Sequence, residues 1–232
     1  MPRVARIAPE ENIYHVLTRG NNRQDIFKDE SDYRKYIGII RKYKERYGFS
    51  LYHYVLMRNH VHLVLETSSG GGSLAATMKG INLSYAQYYK AKYGHIGHFW
   101  QDRFKSILVS RDEYLLACGS YVELNPVRAG VVKDPKDYQW SSYGVYAFGK
   151  DDGVTDRHSI YERWSKDEAN LRLRYREFVK GMLKEKAAMK GEMDRRVVYG
   201  SEDFVKQIEG GYKISAIIRG IGRPKKDGES EK

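Results

Sequence analysis

The sequence predicts an α+β fold: an antiparallel sheet of ferredoxin-like topology with helices on one face, followed by a small helical C-terminal extension. Three observations predict it. Apolar periodicities typical of strands and of helices alternate in the order strand, helix, strand, strand, helix, strand, helix. Two of the strand-like runs are separated only by Met57-Arg58-Asn59, a link short enough for antiparallel neighbours. A length of 232 residues suits one main domain with an appendage.

Ile13 to Thr18 is rich in strand formers and runs into Arg19-Gly20-Asn21-Asn22-Arg23, a basic turn-forming cluster, which predicts a strand and a loop. From Asp29 to Tyr47 the apolar positions Tyr33, Tyr36, Ile37, Ile40, Tyr43 and Tyr47 recur at three- and four-residue spacing, with Gly48 as a C-terminal stop. Phe49 to Leu56 and His60 to Glu66 form a hairpin. Ser68 to Gly72 is a break before a second helix, marked by Leu74, Met78, Ile81, Tyr85 and Tyr88 and ending near Gly94. Phe104 to Val109 reads as a strand, and Ser110 with Glu113 gives a capping-box signal for a helix that must end before Pro126. Lys150-Asp151-Asp152-Gly153 marks a boundary, so residues 1–148 are read as the main domain and 149–232 as the extension. The extension has charged helical sequence from Lys166 to about Asp194 and a polar, charge-rich end expected to be disordered. Within that end, Gly222-Arg223-Pro224-Lys225-Lys226 is similar to the core of a minor-groove AT-hook, though a floppy basic tail is the plainer reading.

With 41 Lys and Arg against 30 Asp and Glu, the formal charge is +11 and spread along the chain. A polyanionic partner is expected, because a basic surface gains free energy by displacing counterions from phosphates. The 20 tyrosines, against 7 Phe and 3 Trp, supply rings suited to wet surfaces, some of which can stack on unpaired bases while most pack. The single cysteine, Cys118, excludes an intramolecular disulfide and a cysteine-rich metal site and fits a reducing compartment. With no apolar N-terminal leader and no membrane-length apolar stretch, a cytoplasmic protein without a membrane partner is expected.

In His60-Val61-His62 the two imidazoles leave one face of a strand, roughly 7 Å apart at the backbone. So placed, they can share one divalent ion, or they can be a partly buried, hydrogen-bonded pair. The apolar continuation Leu63-Val64-Leu65 marks a buried strand, where unpaired imidazoles are costly, so something polar should face them. The helix after Ser110 offers Tyr121 and Asn125, four residues apart on one face. Tyrosine supplies a nucleophilic oxygen and asparagine a neutral oxygen for a metal. Read alone, Tyr121 also fits as a packing residue and Asn125 as a helix end before Pro126. Arg19 with Arg23, Arg58, and Arg103 with Lys105 read as phosphate contacts or as solvated charges. Trp100 and Phe99 suit base stacking, with core packing for at least one, and His95 and His98 beside Gly94 and Gly97 are read as structural.

Taken together, these segments resemble a known family. Met57-Arg58-Asn59-His60-Val61-His62-Leu63-Val64 and Tyr121-Val122-Glu123-Leu124-Asn125-Pro126-Val127-Arg128-Ala129-Gly130 closely resemble the HUH single-tyrosine transposases, and within them the REP-associated tyrosine transposases. Tyr14-His15-Val16 with Arg19-Gly20-Asn21, and Gly97-His98-Phe99-Trp100-Gln101-Asp102-Arg103-Phe104-Lys105-Ser106, look like the same family, so the resemblance spans about residues 3 to 148. It implies the HUH endonuclease fold, with Mg²⁺ or Mn²⁺ held by His60 and His62. Asn125 stands where insertion-sequence relatives often carry a glutamine as third ligand. It also implies that Tyr121 attacks single-stranded, hairpin-bearing DNA to leave a 5′-phosphotyrosine bond and a free 3′-hydroxyl. DNA contacts are then expected from Arg19, Asn21, Arg23, Arg58, Trp100, Arg103, Lys105 and Arg128. No small-molecule substrate is expected, and no residue is an obvious general base. With one tyrosine per chain, two simultaneous cuts would need a homodimer. Two other readings stand beside this one: an idle nucleic-acid-binding regulator, which would not need His60, His62 and Tyr121 together, and a phosphodiesterase using water, which would not need the tyrosine.

Overall fold

Sheet alternation decides how this chain is layered. The computed structural model describes residue 9 and residues 11–183, 196–212 and 215–216. Strands β1 (Ile13–Arg19), β2 (Ser50–Met57), β3 (His60–Glu66) and β4 (Lys105–Val109) pair antiparallel in the order β2-β3-β1-β4. A short β5 (Val198–Tyr199) lies parallel to β4, making the sheet mixed and adding a strand the sequence reading did not contain. The helices are α1 (Glu30–Tyr47), α2 (Leu74–Tyr93), α3 (Glu113–Glu123), α4 (Asn125–Arg128), α5 (Tyr143–Phe148), α6 (Ser159–Glu162), α7 (Glu168–Met182) and α8 (Glu202–Tyr212).

The α+β class and the ferredoxin-like core are as expected, but helices cover both faces of the sheet instead of one. Tyr14, Val16, Tyr54, Leu56, Val61, Leu63 and Leu65 point to the face covered by α1 and α2, against Tyr36, Ile40, Met78, Ile81 and Tyr85. Ile13, Val55, Met57, Val64, Ile107 and Val109 point to the other face, against Leu115, Cys118, Tyr121 and Val122 of α3. The physical reason is in the strands: Leu63-Val64-Leu65 is apolar on both sides, and each side must be shielded from water.

Local chemistry sets the helix ends. Asp29 caps α1 in a reciprocal box with Asp32, and Gly48 closes the helix at φ 65°. Helix α3 is capped by Asp112 and not by Ser110: the Asp112 carboxylate accepts from the Tyr114 N–H at 3.0 Å, and the Ser110 hydroxyl donates to that carboxylate at 2.6 Å. A carboxylate at the first turn also complements the helix dipole.

The outer side of β2 is occupied by the chain that follows α4. Leu56 N–H donates to Trp140 O (2.9 Å), Ser142 N–H to Tyr54 O (3.1 Å) and Asp156 N–H to Leu51 O (2.7 Å). The Asp156 carboxylate in turn accepts from Leu51 N–H and Lys44. On the opposite flank, Leu108 N–H and Ser110 N–H donate to Val197 O and Tyr199 O at 2.9 Å. A third core joins Leu116 and Leu124 to Tyr146 of α5, Tyr161 of α6 and Leu171, Tyr175 and Val179 of α7. The charged helical stretch expected from Lys166 is thus represented by α7; the rest of it and the basic segment around Arg223 fall outside the described residues. No described helix is long and apolar enough to cross a membrane.

Candidate active site

His60, His62 and Val64 leave β3 on the face that α3 covers. The antiparallel register sets Arg19 opposite His60, and Leu17 opposite both His62 and Lys105, so Arg19 and Lys105 share that face. The His60 and His62 rings stand 5.1 Å apart between centroids, and Tyr121 meets His62 edge-on at 6.4 Å. The sequence-predicted histidine pair and tyrosine are therefore brought together, with His62 and Tyr121 buried and His60 half-buried at the edge of the cluster.

Sequence reasoning noted His15 within a motif and gave it no role. It sits diagonally across from His62, with Nε2 2.8 Å from His62 Nδ1, its ring stacked at 5.0 Å and the edge of Tyr121 at 6.0 Å. Strand parity was the available signal, since Ile13 and His15 fall on the same buried side of β1.

Burial makes these imidazoles neutral. It lowers the His15 pKa to about 4, lowers His60 to about 4 with help from Arg19, and pushes His62 well below its usual value, with His15, His60, Arg19 and Arg128 adding repulsion. A neutral imidazole keeps a lone pair for a metal. For His62 to present that lone pair at Nε2, its proton must sit on Nδ1 and be donated to His15 Nε2. The His15 proton then lies on Nδ1, a buried atom with no partner among the described residues. The pair thus fits a divalent cation as an open two-imidazole set. Among the described residues no group of three or more His, Cys, Asp and Glu could hold one, so the other positions would fall to amide oxygen, phosphate or water.

Helix α3 can lie this close to the sheet because of Gly119, where an added Cβ would meet His53 Nε2 at 2.4 Å. Tyr121 is 6% exposed. The Asn125 amide donates to the carbonyls of Tyr121 and Val122, both at 3.0 Å, which closes α3 and turns its Oδ1 the other way. Arg128 donates to the Tyr121 carbonyl at 2.7 Å and lays its guanidinium 4.5 Å from the Tyr121 ring centroid.

Two loops beside this cluster are tied into one ridge: Gly20 bridges to Trp100, Asn21 N–H donates to Phe99 O (2.8 Å) and Gln101 N–H to Arg19 O (2.9 Å). Asn21 and Arg23 lie in a tight turn whose Asn22 and Arg23 have positive φ. Trp100 is half-buried and donates Nε1–H to Asn82 O at 2.9 Å, while Phe99 is buried. Arg103 and Lys105 are exposed, and Arg58 is exposed at the hairpin turn, paired with Asp25 at 2.6 Å. His95 packs against Tyr89 and Phe99, as a structural residue would.

Residues 10–125, half of the chain, match the family of IS200-like transposases. The chain belongs to that family. This IS200-like transposase also has the HUH fold: it is similar to a structure of the REP-associated tyrosine transposase bound to a REP hairpin, with a TM-score of 0.56 and 19% identity over 68% of this chain and 99% of that one. A transposase-like protein of Deinococcus radiodurans R1 is similar at 18% identity and a TM-score of 0.37, over 56% of this chain and 92% of that one. No match is found among curated protein sequences. The family match takes in His15, His60, His62, Tyr121 and Asn125 of this transposase and stops before Arg128 and α5.

Proposed function

We propose that this IS200-like transposase nicks and rejoins single-stranded, hairpin-bearing DNA through a 5′-phosphotyrosine bond to Tyr121. The observation that carries the reading is the packing of Tyr121 edge-on against His62 beneath the Arg128 cation, on the face that also bears Arg19 and Lys105. A packing tyrosine would need neither the cation nor the imidazoles.

In the cleavage step Tyr121 Oη bonds to phosphorus and the bond from phosphorus to the 3′-oxygen breaks; the phenol proton passes to water and the departing oxygen takes one up. The new bond retains the energy of the old one, so a 3′-hydroxyl can reverse the step at the same site. Arg128 over the ring stabilises the negative phenolate whenever it forms, both before attack and as the leaving group on rejoining. His60 and His62, with the Asn125 oxygen, would hold Mg²⁺ or Mn²⁺, which when bound supplies charge neutralisation at a non-bridging phosphate oxygen. His15 fixes the ring plane and proton position of His62. The ridge of Arg19, Asn21, Arg23, Trp100 and Arg103 suits a DNA strand by backbone contact and stacking. The REP hairpin held by the similar transposase supports a hairpin-bearing partner. A cytoplasmic location is part of this proposal.

Incubating the protein with labelled hairpin-bearing single-stranded DNA and Mn²⁺ should give a covalent adduct that survives denaturation. Tyr121→Phe should abolish it. No adduct with the wild type, or an undiminished one with the variant, would overturn the mechanism.

A further inference from the structure

Glu123 lies two residues beyond Tyr121 on α3 and is 0% exposed. A carboxylate removed from water persists only where donors replace its hydration. Three do. Ser142 Oγ–H donates to Oε1 at 2.6 Å, Tyr175 Oη–H donates to Oε2 at 2.7 Å, and His53 Nδ1 lies 2.9 Å from Oε1.

The proton on His53 can be placed from the backbone. Tyr161 N–H donates to His158 Nδ1 at 3.2 Å, so that nitrogen is an acceptor. The His158 proton therefore sits on Nε2, which faces His53 Nε2 at 3.3 Å, and the His53 proton is left on Nδ1, aimed at Glu123. Tyr146 seals the network, stacking on His53 at 4.4 Å and on Tyr175 at 5.1 Å.

The donors come from β2, from the turn before α5 and from α7, so the carboxylate gathers three separate elements onto α3. Two residues of helix turn through about 200°. Tyr121 and Glu123 therefore leave opposite flanks of α3: one over the histidines of β1 and β3, the other over β2 and α7. Any rotation of α3 about its axis moves both.

We propose that Glu123 is a positioning residue for Tyr121 and that α7, through Tyr175, is the lock that holds it. The C-terminal segment is then part of the machinery that aims the tyrosine at the phosphate. This inference rests on Tyr121 being the nucleophile.

The test uses the full chain with Tyr175→Phe, which removes one hydroxyl and keeps the ring, beside Ser142→Ala, Glu123→Gln and Glu123→Ala. Two readouts are taken: adduct formation on hairpin DNA with Mn²⁺ as a function of DNA concentration, and amide hydrogen exchange across the protein. Tyr175→Phe should slow adduct formation at saturating DNA by about 10- to 100-fold while the half-saturating DNA concentration changes by no more than about twofold. Exchange should quicken across residues 113–123 and stay unchanged across 60–66. Glu123→Gln, whose amide oxygen still accepts from His53, should retain more activity than Glu123→Ala. Wild-type rates and wild-type exchange in both Tyr175→Phe and Ser142→Ala would overturn the proposal, as would loss of DNA affinity in step with rate. If the wild type itself forms no adduct, the nucleophile reading falls, and exchange over 113–123 still decides whether Tyr175 holds α3.

Discussion

Arg128 places a cation over the face of a phenol with one of its own N–H groups already bonded to the same residue's carbonyl, which leaves little freedom to swing away. Burial lowers its pKa, and the Tyr121 oxygen works against that lowering. Arg128→Met keeps the length and removes the charge; adduct formation should fall by about tenfold or more, with DNA affinity, measured by fluorescence anisotropy, nearly unchanged. An affinity loss equal to the rate loss would instead assign Arg128 to the DNA. At this scale the sequence was partly legible. That His60 and His62 share one strand face could be read from local spacing, whereas their grouping with Tyr121 was read from the family resemblance. The role of His15 was not legible, because it depends on a diagonal contact between two strands 47 positions apart. Nor was Arg128's place on the tyrosine ring, which depends on the turn from α3 into α4 around Pro126.

Among the elements, α3 is the one whose placement matters most, and Gly119 sets its distance from β2. Gly119→Ala should destabilise the protein by about 1–3 kcal/mol through overpacking against the His53 ring, and should slow adduct formation by displacing Tyr121. Gly38, inside α1 with nothing near its missing Cβ, is the control: Gly38→Ala should be neutral or stabilising by up to about 1 kcal/mol. Urea unfolding separates the two, and equal destabilisation would refute this account of Gly119. Strand and helix order could be read from periodicity because each period is local. Two features could not. The cap of α3 fell on Asp112 because the helix begins at Glu113, which leaves Ser110 outside it to donate to the Asp112 carboxylate, and β5 is a two-residue strand with too few positions to carry a period.

For the whole molecule, the buried polar network makes stability depend on pH. Burial, reinforced by His53, lowers the His158 pKa to about 2, whereas an unfolded histidine titrates near 6.5. Above about pH 6.5 neither state binds this proton and the contribution to stability is complete; as pH falls below that, only the unfolded chain takes it up. Stability should therefore decline by about 1.4 kcal/mol per pH unit from this group between pH 6.5 and the acid limit of folding. Urea midpoints at pH 7.5 and 5.0 should diverge less for His158→Asn than for the wild type, and identical divergence would refute it. The sequence marked a break near residue 150, since Lys150-Asp151-Asp152-Gly153 is a polar turn. It carried no sign that Asp156 and Tyr175 beyond the break reach back to β2 and α3, because such contacts have no period.

The chain segments lining the sheet have a further effect on how copies of the protein meet. With residues 140–156 hydrogen-bonded at points along β2 and residues 197–199 along the end of β4, this chain covers part of each margin of its own sheet. Along those stretches the backbone donors and acceptors are already taken, which guards them against edge-to-edge addition, the usual route from an exposed strand to aggregation.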